Sequence, residues 1–343
     1  MMLVVVLALG LWLLGWVLGT PKPLRWGAIG VLWLAAVGVN LALPEGHPLR
    51  EMTGGDARVW LAVALGFAVV VGYRAMLSRL KSRVAAVNVP TPSAFSEAEV
   101  ARYARHILLR EIGGPGQRRL KDARVLVVGA GGLGAPVLLY LAAAGVGEIG
   151  VIDDDTVETS NLQRQIIHAD QRVGMDKVES AEIAMRAMNP YVQVKPYKRR
   201  LDAETAGLIA EYDLVLDGSD NFDTRYLINQ LCVAAGKPLI AAAITQWEGQ
   251  LSVYDPAREG PCYACVFPVR PAPGTVPTCA EAGVAAPLPG VLGSMMAMEA
   301  VKLITGAGAP LRGRLLIYDA LYAETRLIGV KRRADCTVCG AVH

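Results

Sequence analysis

The chain has 343 residues, 53% of them hydrophobic, and its 34 basic and 31 acidic side chains leave a net charge of +3. That length holds a large globular domain with an appendage, or two domains, and so balanced a charge excludes a nucleic-acid binder that works by charge alone. Of its six cysteines, four form two C-x-x-C pairs, a pattern that reads as a metal or redox site before it reads as a disulfide framework.

In chain order, the apolar residues crowd into the first 83 positions. Met1–Gly19 and Trp26–Leu43 are uncharged runs, and Val59–Tyr73 is a shorter third. A bilayer core takes about 20 apolar residues per helix, roughly 17 to 25. The first two runs meet that length, and the third needs Trp60 and Tyr73 at the interfaces. A cleaved signal peptide is the rival reading of the first run, but it lacks a basic start and two further apolar runs follow it. Residues 1–83 are therefore expected to form a membrane region of two or three helices. Lys22 and Arg25 lie between the first two runs, and Arg74, Arg79, Lys81 and Arg83 follow the third. Arg50 and Arg58, between runs two and three, are diluted by Glu45, Glu51 and Asp56. The bias of basic residues predicts a multi-pass protein of the inner (cytoplasmic) membrane, with everything after residue 74 in the cytoplasm.

"VAAVNVPTPSAF" (84–95) reads as a linker, with two prolines and no helical period. Ser96 with Glu99 three positions on has capping-box spacing and opens a helix through "ARYARHILLREIGGPGQRRL". Strands are expected at 124–128, 148–153, 213–217, 237–243 and 249–255, and helices at 136–146, 176–189 and 290–305. A hairpin is expected from 313–319 and 323–330. Alternation of this kind predicts an α/β domain over 96–343, a doubly wound, Rossmann-like mixed sheet preceded by the transmembrane helices.

"LVVGAGGLGAP" (126–136) is a Gly-rich turn between strand and helix. Such a turn offers backbone N–H groups and a helix N-terminus to phosphate, and serves dinucleotides and ATP alike. It also occurs simply to pack strand on helix. In "IDDDTVETSNLQRQ" (152–165), Asp153 stands at the end of the second strand, where an acid binds ribose hydroxyls. Asn161, Arg164, Gln165 and then Lys177 follow. Cations facing phosphates are what an ATP-cleaving enzyme requires, to stabilise charge on the transferring group. In "DGSDNFDTR" (217–225), Asp220 falls just past a strand C-terminus and is a candidate Mg²⁺ ligand. The bland alternative is a solvated charged surface, and an NAD-dependent oxidoreductase is the rival enzyme.

Cys262-x-x-Cys265 and Cys336-x-x-Cys339 can converge on one tetrahedral structural Zn²⁺. A thioredoxin-like redox pair is the alternative, but neither pair opens a helix after a leading strand. Cys232 reads as core, and His47, His106, His168 and His343 form no ligand set.

Taken together, "RYARHILL" (102–109), "GQRRLKDARVLVVGAGGLG" (116–134), "SNLQRQ" (160–165), "VGMDKVESA" (173–181), "DGSDNFDTRYLIN" (217–229), "CYAC" (262–265), "CAEAGV" (279–284), "GVLGSMMAMEAVK" (290–302) and "CTVCG" (336–340) resemble the ThiF/MoeB family of ubiquitin-activating-like enzymes. The likeness is strongest to its molybdopterin-synthase adenylyltransferase branch. It covers about residues 96 to 343 and implies a homodimer with an eight-stranded sheet. The implied reaction is Mg-ATP-dependent adenylation of the C-terminal Gly-Gly carboxylate of a ubiquitin-like sulfur carrier, giving acyl-adenylate and pyrophosphate. The favoured carrier is the small subunit of molybdopterin synthase. The thiamine-synthesis carrier, and a non-catalytic membrane adaptor of the same fold, are the alternatives.

By the same resemblance, Gly132 approaches the nucleotide and Asp153 binds its ribose. Ser160, Asn161, Leu162, Gln163 and Arg164 line the phosphate site, with Arg164 as the main charged contact. Lys177 pairs with phosphate oxygens, Asp220 holds Mg²⁺, and Asn221 stands beside it. Arg105 corresponds to an arginine finger that reaches the partner subunit's site. Cys279 matches a position that in several relatives is a reactive cysteine able to link to the carrier. The apolar N-terminus departs from the soluble members, and no sulfurtransferase domain follows "CTVCGAVH", so sulfur is expected from a separate donor.

Overall fold

In the computed structural model, which describes residues 2–85, 95–272, 275 and 279–340, the chain divides into two units, residues 1–93 and 94–343. The expected linker, 84–95, lies almost wholly outside the described residues.

The first unit is helical: α1 (Met2–Val17), α2 (Lys22–Ala42), α3 (Pro48–Thr53) and α4 (Ala57–Ala85). The lengths correct the sequence reading. α1 has 16 residues, α2 has 21 and α4 has 29. At about 1.5 Å per residue, α1 falls short of the roughly 17 residues a bilayer core takes. α2 and the stretch Pro48–Ser78 are long and apolar enough to cross a membrane. The run expected to be short is therefore part of the longest helix, because the helical backbone continues through the basic residues after Tyr73. α3 was not foreseen.

Among the described residues of this unit, only Val4, Ala36 and Trp60 form a buried apolar cluster. Polar contacts supplement it. Trp60 Nε1 donates to the Thr53 carbonyl at 2.9 Å, Trp33 Nε1 donates to the Trp60 carbonyl at 3.3 Å, and Asn40 Nδ2 donates to Thr53 Oγ1 at 2.9 Å. Leu14, Trp16, Leu34, Leu65 and Val69 all face outward. That is the reverse of a water-soluble bundle, which turns its apolar stripes inward.

The second unit begins with α5 (Glu97–Ile107) and α6 (Gly113–Asp122). The capping box forms: the Ser96 backbone N–H donates to Glu99 Oε2 at 2.8 Å, and Ser96 Oγ accepts from the Glu99 N–H. The single helix expected here breaks in two near Gly113, whose φ is +58°. Then follow β1 (Arg124–Val128), α7 (Gly134–Ala144), β2 (Glu148–Ile152), α8 (Lys177–Met188), β3 (Gln193–Tyr197), α9 (Ala206–Ala210), β4 (Leu214–Asp217) and α10 (Phe222–Ala235). The chain continues through β5 (Leu239–Ile244), β6 (Glu248–Tyr254), α11 (Tyr263–Val266), α12 (Cys279–Ala282), α13 (Pro287–Thr305), β7 (Arg314–Asp319) and β8 (Glu324–Gly329).

The eight strands form one sheet in the order β3-β2-β1-β4-β5-β6-β7-β8. β1 to β5 run parallel and β6 to β8 antiparallel. Val125, Leu126 and Val127 of β1 are fully buried, as a parallel strand covered on both faces must be. α7 and α13 cover one face through Leu138, Leu141, Leu292 and Met296. α10 covers the other with Ile228 and Cys232 against Tyr212 and Tyr254. α13 is also long and apolar enough to span a membrane, yet it packs across α7 and the sheet. The strand order reverses at β1, between β2 and β4. In open α/β sheets ligands bind outside the strand C-termini at such a switch point.

Candidate nucleotide site and cysteine cluster

The Gly-rich turn leaves β1 at this switch point. Gly129 has φ of +95°, and a Cβ there would come within 3.0 Å of the Gly218 carbonyl oxygen. At Gly134 a Cβ would fall 1.9 Å from the Gly129 carbonyl oxygen, so no side chain fits at the first turn of α7. These glycines let the turns after β1 and β4 lie against each other. Beside them opens a cavity of about 690 Å³, lined by Gly132, Asp153, Arg164, Lys177, Asp220 and Asn221 among others.

β2 ends at Ile152, so Asp153 projects just beyond the sheet. Its Oδ2 accepts the Ala130 N–H at 2.7 Å and its Oδ1 the Asp155 N–H at 2.9 Å. Burial pushes this carboxyl up, while Lys177 and the two N–H donors pull it down; the balance lies above the ordinary value. Lys177 is the first residue of α8 and is buried, with its Nζ 2.7 Å from Asp155 Oδ2. Asp155, not foreseen as a site residue, thus holds the lysine at the cavity wall. Arg164 is braced by Asn161 Oδ1 at 3.2 Å and by the Ser160 carbonyl at 3.4 Å.

Ser160, Asn161, Leu162 and Gln163 are not among the residues lining the cavity; Asn161 and Ser160 reach it through Arg164. Gln165 does line it, is buried, and leaves its Oε1 without a partner. Asp220 is exposed in the loop between β4 and α10. Asn221 caps α10, its Oδ1 accepting the Thr224 N–H at 2.9 Å. The Asp220 carboxylate, a hard oxygen donor lining the cavity, suits Mg²⁺.

Further lining residues escaped the sequence reading. Arg225 is buried and donates to the Ala242 and Ser219 carbonyls at 2.7 and 2.5 Å. Its signal was its place one turn after the Asn221 cap. Arg199 and Arg200 follow β3 at the rim of the cavity. Arg105 is exposed on α5 and does not line the cavity of its own chain. Cys279 opens α12, and its side chain is outside the described residues.

The four cysteines of the two C-x-x-C pairs meet, all buried. Sulfur separations are 3.8 Å for Cys262–Cys265, 3.6 Å for Cys262–Cys336 and 3.4 Å for Cys265–Cys339. Four sulfurs about 2.3 Å from one Zn²⁺ would stand about 3.8 Å apart, so the donor set fits the ion. The backbone N–H of Arg333 donates to Cys265 Sγ at 3.4 Å, as an N–H does toward a thiolate.

Fold and cavity together define a nucleotide-binding α/β enzyme. The ThiF family model matches residues 103–338, and the chain belongs to the ThiF family. It is 51% identical over 251 residues to the sulfur carrier protein adenylyltransferase of Thermus thermophilus, covering 72% of this chain and 93% of that protein. It is 50% identical over 243 residues to the SAMP-activating enzyme E1 of Haloferax volcanii, covering 71% and 89%. With the adenylyltransferase and sulfurtransferase MOCS3 of Mus musculus it shares 46% over 282 residues, 77% of this chain but 61% of that longer protein. Among solved structures, E. coli MccB with MccA-N7isoASN superposes with a TM-score of 0.63 at 25% identity, covering 73% and 77%. PaaA, at 23% identity, has a TM-score of 0.62 and covers 87% and 90%, a likeness of fold. The mixed α/β fold and the enzyme class expected from the sequence, an ATP-dependent adenylyltransferase, are borne out by these relatives.

Proposed function

We propose that the chain uses Mg-ATP to adenylate the C-terminal glycine carboxylate of a small ubiquitin-like sulfur carrier, with the small subunit of molybdopterin synthase as the favoured partner, and that it does so at the cytoplasmic face of a membrane. The observation that carries this reading is the one cavity into which the Gly-rich turn, Asp153, Arg164, Lys177 and Asp220 all open. The relative named a sulfur carrier protein adenylyltransferase supplies the substrate class.

A carboxylate is a poor acyl donor until one of its oxygens carries a good leaving group. In this reaction a carboxylate oxygen bonds to the α-phosphorus, and the bond from that phosphorus to pyrophosphate breaks, its electron pair leaving with pyrophosphate. The nucleophile is already an anion, so no general base is needed, and Cys279 has no part in this step. The residues align two anions and neutralise charge. Asp153 accepts from the ribose hydroxyls, and Lys177 and Arg164 face the phosphates. Asp220 is the side chain that would hold Mg²⁺, which when bound supplies positive charge beside the leaving pyrophosphate. Arg105, exposed on its own chain, would complete the site of a partner subunit in a homodimer.

Zn²⁺ held by Cys262, Cys265, Cys336 and Cys339 would tie the segment after β8 to α11, a structural role. The outward apolar faces of α2 and α4, with basic residues at their ends, support a membrane anchor. Sedimentation of the full-length protein with membranes after alkaline carbonate washing would test the anchor.

The reaction is tested by carrier-dependent exchange of labelled pyrophosphate into ATP. Exchange with the molybdopterin-synthase small subunit is expected. Exchange with the thiamine-synthesis carrier alone would move the substrate assignment, and no exchange with any Gly-Gly carrier would sink the reading.

A further inference from the structure

His168 belongs to no ligand set, and its environment is unusually well defined. Its ring is buried between the Gly-rich turn and α8. Nε2 lies 2.9 Å from the Ala130 carbonyl oxygen, and Nδ1 lies 2.8 Å from Ser180 Oγ. A carbonyl only accepts, so Nε2 carries the proton, and in the neutral ring Nδ1 accepts from the Ser180 hydroxyl. Burial, with Lys177 and Arg172 nearby, pushes the ring's pKa down to about 4 against the opposing pull of the Ala130 bond. The neutral form therefore persists at neutral pH.

Ala130 is fixed from both sides. Its carbonyl accepts the His168 Nε2–H, and its N–H donates to Asp153 Oδ2. That carbonyl shares its peptide unit with the Gly131 N–H, and the next peptide carries the Gly132 N–H; both glycines line the cavity. Ser180 sits one turn after Lys177 on α8. One line of hydrogen bonds thus runs from Asp153 through Ala130 and His168 to the helix that begins with Lys177.

We propose that His168 is a positioning residue of the nucleotide site, which sets the Gly-rich turn in register with Asp153 on one side and with α8 on the other. This rests on reading the cavity as an ATP site. His168 touches no substrate in this role. It acts by fixing the Ala130 peptide, so that the turn presents its N–H groups before nucleotide arrives. A histidine that merely filled space and satisfied a buried carbonyl would affect stability but would not select for nucleotide.

The test is equilibrium ATP binding by the full-length protein in detergent, without carrier, alongside thermal melting. Wild-type binding checks the ATP-site reading by itself. The variants are His168→Phe, which keeps a ring but loses both hydrogen bonds, His168→Gln, whose amide can still donate to the Ala130 carbonyl, and Ser180→Ala. Loss of one well-made hydrogen bond to the turn predicts an ATP Kd about tenfold weaker in His168→Phe. His168→Gln should stay within about threefold of wild type, and Ser180→Ala should weaken binding about threefold. The proposal is overturned if His168→Phe binds ATP as wild type does, or if His168→Gln is weakened as much as His168→Phe. If His168→Phe does not fold, Ser180→Ala decides: unchanged ATP affinity in that variant overturns the proposal.

Discussion

Replacing Lys177 with methionine separates what this residue does for the fold from what it does for the reaction. Lys177 is buried, yet it heads α8, where the positive end of the helix dipole disfavours a cation. Its partner Asp155 keeps 66% of its side chain exposed, so that carboxylate stays hydrated when the lysine goes. A pair with one hydrated member contributes about 0–1 kcal/mol, and methionine retains the apolar stem. The melting temperature should therefore move by no more than about 4 °C. At the phosphates the balance is different. A cation about 4 Å from a phosphate oxygen, at an effective dielectric constant of about 20, interacts by roughly 4 kcal/mol, or about 10³ in rate. Pyrophosphate exchange at saturating carrier, read beside a thermal melt, should thus show an inactive and stable Lys177→Met variant. Exchange within about tenfold of wild type would refute the assignment, whatever the melt showed.

Three further outcomes follow from the same geometry. Asp220→Ala should abolish exchange while leaving the melt unchanged, since Asp220 is exposed and outside the core; normal exchange removes it from the site. Metal analysis should return about one Zn²⁺ per chain, and Cys336→Ser should release it and lower stability; a metal-free protein that is equally stable and active would discard the zinc reading. Mixing an Arg105→Ala chain with an Asp220→Ala chain should restore part of the exchange lost in each, because one site of the mixed dimer keeps its own Asp220 and receives an intact Arg105. Mixed dimers that form and stay inactive would exclude action in trans.

The α/β alternation was legible because buried parallel strands read as continuous apolar runs, as "RVLVV" does. β3 was not, for a physical reason. It is the sheet edge, carries Lys195 and Pro196, and pairs only with β2, so it needs neither a run of apolar residues nor a full ladder of N–H donors. The sequence shows no break between α5 and α6, because the two glycines at 113 and 114 look like any others until the turn demands a positive φ at Gly113. In the site, residues that meet the cavity in strand-end loops were visible in order. Asp155, Arg225 and His168 were not, since their roles depend on which distant backbone or charge they face. The cysteine pairs, 74 residues apart, were readable because four soft ligands at that spacing have few other uses.

A Gly-rich turn after a parallel strand does not by itself distinguish ATP from a dinucleotide, and Asp153 suits the ribose of either. The cations make the distinction. Burying Lys177 at a helix N-terminus is unfavourable unless an anion repays it, and Asp155, largely in water, repays only part. Arg164 is likewise held toward the cavity by Asn161 and the Ser160 carbonyl rather than released to solvent, at a cost in side-chain entropy. Two cations restrained at one cavity fit a ligand with a run of phosphates whose charge shifts during reaction. Hydride transfer to or from a nicotinamide ring develops no such charge there, so a dinucleotide's pyrophosphate uses these cations for binding alone, whereas adenylation uses them for the reaction as well.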